Sequence, residues 1–218
     1  MKGWVWWVAI GATILGAGYV MSRLPVKAPQ GPYIGNPALG TRPGNVGRGT
    51  PLAPTGGDQL AIFAQGCFWG VEERFRKVPG VVATAVGYTG GRTEAPSYAQ
   101  VSTSATGHVE AVLVEFDPSV VAYEELLAFF WRTHDPTTAD RQGPDRGSQY
   151  RSAVFTFGPA QQRAAERSRE EEQRALVAPI TTEIAPAGPF WIAEDEHQQY
   201  DEKHGTLTCP LPQRAARR

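Results

Sequence analysis

Only 2 cysteines occur in 218 residues, Cys67 and Cys209, far apart along the chain. That is too few for a disulfide-stapled secreted scaffold or for a four-thiolate zinc site, so any role they have is as reactive thiols. An excess of charge of either sign is also missing: 21 basic side chains face 22 acidic ones, for a formal net of −1. No global basic field draws in nucleic acid, and none is expected as a partner. Repeats of solenoid or propeller length are absent. The length suits one folded domain with extra segments, at roughly 100 to 200 residues per domain.

Locally, charge disappears altogether. Trp4 to Met21 is an 18-residue stretch without a charged side chain, with Lys2 before it and Arg23 and Lys27 after it. Since about 20 apolar residues cross a bilayer, residues 4–21 are expected to enter the membrane as an N-terminal transmembrane helix. A cleaved signal peptide favours a shorter apolar region and an Ala-x-Ala-like site, so the run fits an uncleaved anchor better. The flanking positive charges nearly balance, which leaves the orientation open.

Residues 22–58 carry Pro25, Pro29, Pro32, Pro37, Pro43, Pro51 and Pro54 among many glycines and few large apolar groups, the composition of a linker. From Leu60 the texture becomes compact. Apolar runs predict strands near 60–66, 81–88, 109–116, 150–157 and 180–185. Phe68, Val71, Phe75 and Val78 recur at helical spacing; Tyr123 to Thr133 reads as an apolar helix and Ala160 to Val177 as a charged one. The first six elements follow the order of a ferredoxin-like split βαβ core, an α+β sandwich with helices on one face of an antiparallel sheet. Residues 186–218 show no clear period and are expected to form an irregular C-terminal tail. The division is therefore 1–21 anchor or signal segment, 22–58 linker, 59–210 folded domain and 211–218 basic tail.

Cys67 falls where the first strand gives way to the first helix. Unpaired amides at a helix N-terminus favour an anion, so a thiol of ordinary pKa near ~8.5 is expected to be drawn toward the nucleophilic thiolate. Phe68 belongs to the apolar stripe of that helix, whereas Trp69 lies off it and is free to line a pocket. The period of two in 109–116 puts Glu110 on the same face as Val112, Val114 and Phe116. A carboxyl there either is desolvated and becomes a proton donor near neutral pH, or reaches water at an edge. Tyr88 and Tyr150 stand at strand ends, where sites are commonly built. Asp145, Arg146 and Arg151 flank Tyr150; His134 ends a helix; His197 and His204 lie in the tail.

Three other readings compete. A papain-like hydrolase would use Cys67 with His197, 130 residues downstream, but the cysteine's local context differs and no asparagine follows Asn45 to orient the histidine. Zinc on Glu194, His197, His204 and Cys209 lacks any Cys-x-x-Cys or His-Glu-x-x-His spacing, and no metal is expected. A membrane-tethered interaction domain would leave Cys67 unreactive.

Six ordered blocks decide among them: Gly66-Cys67-Phe68-Trp69-Gly70, Gly87-Tyr88-Thr89-Gly90-Gly91, Thr106-Gly107-His108-Val109-Glu110, His134-Asp135-Pro136-Thr137-Thr138, Asp145 to Ser152, and Ala193 to Tyr200. Together they resemble the peptide methionine sulfoxide reductase A family over about residues 60–209. The resemblance implies that Cys67 attacks the sulfur of an S-epimer methionine sulfoxide, free or in a protein, while Glu110 protonates its oxygen. It implies that Tyr88 and Tyr150 hydrogen-bond that oxygen and that Phe68 and Trp69 hold the methyl group, with Asp145 and His197 shaping the pocket. Cys209 is then the resolving thiol, and thioredoxin or a similar external dithiol the reductant; no bound cofactor is implied. Many relatives carry two recycling cysteines near the C-terminus and a threonine where Ser148 stands, so here the reductant would act on the Cys67–Cys209 disulfide itself. A monomer is expected, with the catalytic part on the periplasmic or other extracytoplasmic side and the cytoplasmic side left open.

Overall fold

A computed structural model of the protein describes residues 54, 56–209 and 215–218. The expected anchor and nearly all of the linker lie outside the described residues; among those described, no helix is long and apolar enough to cross a membrane.

The described chain is a mixed α/β fold. Its elements are β1 Gln59–Gln65, α1 Phe68–Phe75, β2 Val81–Thr89, α2 Tyr98–Val101, β3 Val109–Phe116, α3 Tyr123–Arg132, β4 Arg141–Gln142, β5 Asp145–Arg146, a 3-10 turn Ser148–Tyr150, β6 Ser152–Thr156, α4 Pro159–Ala175, β7 Glu183–Pro186, β8 Trp191–Ile192 and α5 Tyr200–His204. Six strands form one sheet in the order β7-β6-β1-β3-β2-β8, and β4 pairs with β5 as a separate two-stranded ribbon. All sheet pairings are antiparallel except β6 with β7.

β1 and β3 are the central strands, and both read as continuous apolar runs because both of their faces are covered. On one face Ala61, Phe63, Val112, Val114 and Phe116 pack under α1, α3 and α4 through Phe68, Val71, Phe75, Leu126, Leu127, Phe130, Ala164 and Ala165. Leu126, Leu127 and Phe130 recur at helical spacing, so one side of α3 faces the sheet. Phe63 stacks on Phe75 with centroids 4.9 Å apart and tilts against Phe130 at 5.6 Å. Truncating such a residue costs about 3–5 kcal/mol. The other face carries Leu60, Ile62, Leu113 and Phe155 against Phe190 and Ile192.

The tail is where the expectation fails. Residues 186–218 are not irregular throughout: Trp191 and Ile192 pair with Tyr88 and Gly87 as a sixth strand, and α5 follows. Two strand residues are too few to show a period. The chain end also returns to α4, where the Arg218 N–H donates to the Ala175 carbonyl and Arg217 bridges Glu172.

Candidate active site

The turn from β1 into α1 has to be tight. Gly66 adopts φ +96°, and a Cβ there would come 2.7 Å from the Gln142 side chain, so only glycine fits. The turn delivers Cys67 to the N-cap position of α1. Three successive amides of the helix's first turn then face three reactive groups. The Phe68 N–H donates to Glu110 Oε2 at 3.0 Å, while the Trp69 and Gly70 amides act on the Cys67 and Cys209 sulfurs. Orphan donors of a helix start are thereby spent on the site's chemistry.

Glu110 is 2% exposed. Burial among the apolar side chains of β3 pushes its carboxyl up to about 8; the Phe68 amide opposes this, and Cys209 and Asp145 add to it. Of the two environments open from the strand pattern, the structure has the desolvated one.

Cys209 is brought to Cys67 by the tail. Its Cβ lies 2.8 Å from where a Cβ on Gly70 would stand, so Gly70 leaves the room in which the second cysteine sits. Arg74, one turn along α1, donates from Nη1 to the Cys209 carbonyl at 3.1 Å. Both thiols are free and half-buried. This changes the expectation for Cys67. Its S–H donates to the Cys209 sulfur, and together with burial this pushes the Cys67 thiol up rather than down, while Cys209 is held below its ordinary value. The helix start does favour charge, but the second sulfur and burial act against it on Cys67.

The other expected residues converge here as well. Tyr88 lies within β2 rather than after it, opposite Glu110 in register. Its fully buried hydroxyl donates to Glu194 Oε2 at 2.8 Å. Tyr150 closes the 3-10 turn instead of opening β6, because Gly147 at φ +134° reverses the chain just before it. Burial and the nearby Glu110, Tyr98, Asp145 and Cys67 push its phenol up. Asp145, on the β4–β5 ribbon, is half-buried and raised by that burial. Phe68 and Trp69 form an aromatic wall with Tyr98, His197 and Tyr200, in which Trp69 stacks on Tyr200 at 4.0 Å and Tyr98 meets His197 at 4.2 Å. His197 Nδ1 accepts from the Trp69 indole at 3.2 Å.

The remaining histidines and the rival readings fare differently. His134 is buried with both ring nitrogens bonded, to the Phe130 carbonyl and Ser152 Oγ, and burial pulls it down to about 4. Its role is structural. The groups acting on the Cys67 thiol are Cys209, Glu110 and the Trp69 amide, and no imidazole is among them. Among the described residues no cluster of three or more His, Cys, Asp or Glu side chains could hold a metal.

Sequence reasoning missed Gly70, Arg74, Tyr98 and Tyr200, and weighed Glu194 only as a metal ligand. For Tyr98 a signal existed. Ser97 and Gln100 have capping-box spacing, and the box is formed, starting the short α2 that aims Tyr98 inward. For Arg74 and Gly70 there was none, because both matter only through contact with a residue 135 or more positions away.

Comparison with known proteins agrees with this geometry. A family model described as peptide methionine sulfoxide reductase matches residues 59–218. The chain is 58% identical over 156 residues to the peptide methionine sulfoxide reductase of Methanosarcina acetivorans, covering 71% of this chain and 83% of that one. It is 52% identical over 160 residues to that of Methanoculleus marisnigri, covering 72% and 98%. Among solved structures, methionine sulfoxide reductase A of Corynebacterium diphtheriae superposes with a TM-score of 0.71 at 41% identity, over 74% of this chain and 82% of that one. Reduced Mxr1 from Saccharomyces cerevisiae gives 0.68 at 37%, over 72% and 91%. The protein belongs to the peptide methionine sulfoxide reductase family.

Proposed function

We propose that Cys67, Glu110 and Cys209 divide the reduction of methionine sulfoxide to methionine among them, as nucleophile, acid and resolving thiol. The observation that carries this is the first turn of α1, where a desolvated carboxyl and two sulfurs face consecutive amides. The enzyme reduces the S epimer, free or in proteins. The Cys67 sulfur attacks the sulfoxide sulfur while Glu110 protonates the oxygen, weakening the S–O bond. The S–O bond breaks and its oxygen leaves as water. A water molecule then attacks the Cys67 sulfur and loses a proton, the bond to the substrate sulfur breaks with its electron pair going to methionine, and Cys67 becomes a sulfenic acid. Cys209 attacks it, the S–S bond forms and water departs.

Phe68 and Trp69 supply an apolar wall for the substrate's methyl group. Tyr88 and Tyr150 are the hydroxyl donors for its oxygen. In the resting site the Tyr88 proton is committed to Glu194, so using it on substrate means exchanging that bond. Asp145 and His197 shape the pocket. The disulfide needs an external dithiol, and thioredoxin or a thioredoxin-like protein has the required chemistry; no bound cofactor takes part.

The sheet order β6-β1-β3-β2, with α1 and α3 on one face, supports reading the core as the ferredoxin-like split βαβ arrangement. The charge-free run at 4–21 and the proline-rich 22–58 support a membrane tether for the enzyme, with its side of the membrane left open by the balanced flanking charges.

Cysteine variants test the division of labour. Cys67→Ser is expected to abolish even one turnover. Cys209→Ser is expected to release one methionine per chain and then stop, with no recycling by thioredoxin. Normal thioredoxin-driven cycling of Cys209→Ser would remove the resolving role.

A further inference from the structure

The stretch carrying Cys209 is lightly fixed. After α5 the chain turns at Gly205, φ +62°, and residues 205–208 are exposed, Leu207 by 72%. Thr208 hangs from the buried Asp201 carboxylate by its amide at 3.2 Å and by its hydroxyl. The sulfur itself is held by the Cys67 S–H, the Gly70 amide and the Thr208 side chain. The S–H contact disappears once Cys67 is oxidised, at the moment when Cys209 is needed.

One contact to Cys209 does not depend on either sulfur. Arg74 Nη1 donates to the Cys209 backbone carbonyl. The guanidinium is partly buried, with its Nε enclosed and lacking a hydrogen-bond partner. Burying an incompletely paired cation is costly, and fold stability gains little from tying down an exposed tail. Its charge also interacts with both thiols and with Asp201.

We propose that Arg74 is a positioning residue for the second half of the reaction, holding Cys209 by its carbonyl so that the resolving sulfur stays beside oxidised Cys67. This rests on the resolving role given above to Cys209. In the step it serves, the Cys209 thiolate attacks the sulfur of the Cys67 sulfenic acid. The S–S bond forms, the S–O bond breaks, and hydroxide leaves and takes up a proton to become water. The two electrons come from the Cys209 sulfur, so no outside oxidant or reductant enters.

The experiment uses the full chain, reduced and then freed of reductant, mixed with an S-methionine sulfoxide peptide. Methionine release, dimedone-trappable sulfenic acid and free thiols are followed together. Arg74→Met, which keeps the stem, is expected to slow methionine release far less than disulfide closure, its charge acting also on Cys67, and to close the disulfide roughly ten- to hundredfold more slowly, the range a charge-assisted hydrogen bond is worth. Arg74→Lys, which keeps charge without the fork, is expected to fall between, and it serves alone if Arg74→Met does not fold. Cys209→Ser is run alongside. If its sulfenic acid persists while both Arg74 variants close at the parent rate, the Arg74 proposal is overturned and the resolving role stands. If sulfenic acid vanishes in Cys209→Ser as fast as in the parent, the resolving role fails first. Methionine release slowed as much as closure would mark Arg74 as merely structural and overturn the proposal too.

Discussion

Replacing Glu110 by glutamine separates the acid from everything else the side chain does. The amide has nearly the same shape, and its carbonyl still accepts the Phe68 N–H that Glu110 takes at 3.0 Å. What is lost is a transferable proton. With its carboxyl pushed up to about 8, Glu110 is protonated in roughly nine molecules of ten at pH 7. An ordinary glutamic acid, near ~4.3, would be protonated in only about 0.2% of them. Burial thus multiplies the available acid several-hundred-fold. A positioned acid is worth about 10²–10⁴ in rate, so single-turnover methionine release in Glu110→Gln is expected to fall by that range. The pH profile changes as well. The parent rate declines above pH 8 as the acid ionises, whereas the variant rises monotonically with thiol ionisation. Stability moves in the opposite direction to activity. A carboxyl raised on folding costs nothing below pH 4, where it is protonated folded and unfolded, and costs progressively more as pH rises toward 8. Glu110→Gln is therefore expected to resist urea better than the parent at pH 9, by a few kcal/mol, and equally at pH 4. A variant whose rate stays within about threefold of the parent, or that keeps the decline above pH 8, would refute the reasoning.

Gly70→Ala places a methyl group 2.8 Å from the Cys209 Cβ and 3.0 Å from its carbonyl oxygen, closer than carbon atoms pack. Disulfide closure is expected to slow at least tenfold by thiol counting, while α1 itself gains up to about 1 kcal/mol of helix propensity. Glu72 is buried, accepts from Thr84 Oγ1 at 2.9 Å and the Gln199 amide at 2.6 Å, and is pushed up to about 7 by burial. Because its folded pKa is raised, stability falls as pH climbs from about 4.5 to about 7. In Glu72→Gln the amide oxygen keeps the Gln199 N–H and the NH2 group donates to Thr84 Oγ1, whose hydroxyl turns to accept. The variant is expected to recover up to about 3 kcal/mol at pH 8 and nothing at pH 4, read from urea midpoints.

What could be read from the sequence follows the range of the interactions involved. β1, β2, β3, α3 and α4 carry strong periods, and their expected bounds lie within about two residues of those observed, while the helical stripe read for α1 runs on to Val78, three residues past its end at Phe75. Glu110 was visible as an acid candidate because the period of two assigns it a face. The same pattern could not say whether water reaches that face; Phe68 and the helix start above it decide that. β8 and α5 were hidden because two paired residues and a five-residue helix hold their shape through Tyr88, Gly87 and Glu72, not through local preference. Tyr150 was put on a strand because the Gly147 reversal leaves no mark in the apolar pattern. The Cys67 thiol was expected to ionise from its place on the helix, which is right about the amides but blind to a second sulfur arriving from 142 residues away.

The most direct measurement is one of stoichiometry. The reduced full-length chain is mixed, without reductant, with the separated S and R epimers of a methionine sulfoxide peptide, and methionine formed is counted against thiols lost. One methionine per chain from the S epimer alone, with two thiols lost, is the predicted result. No conversion with Cys67 still freely alkylated, or conversion with no thiol consumed, would contradict it.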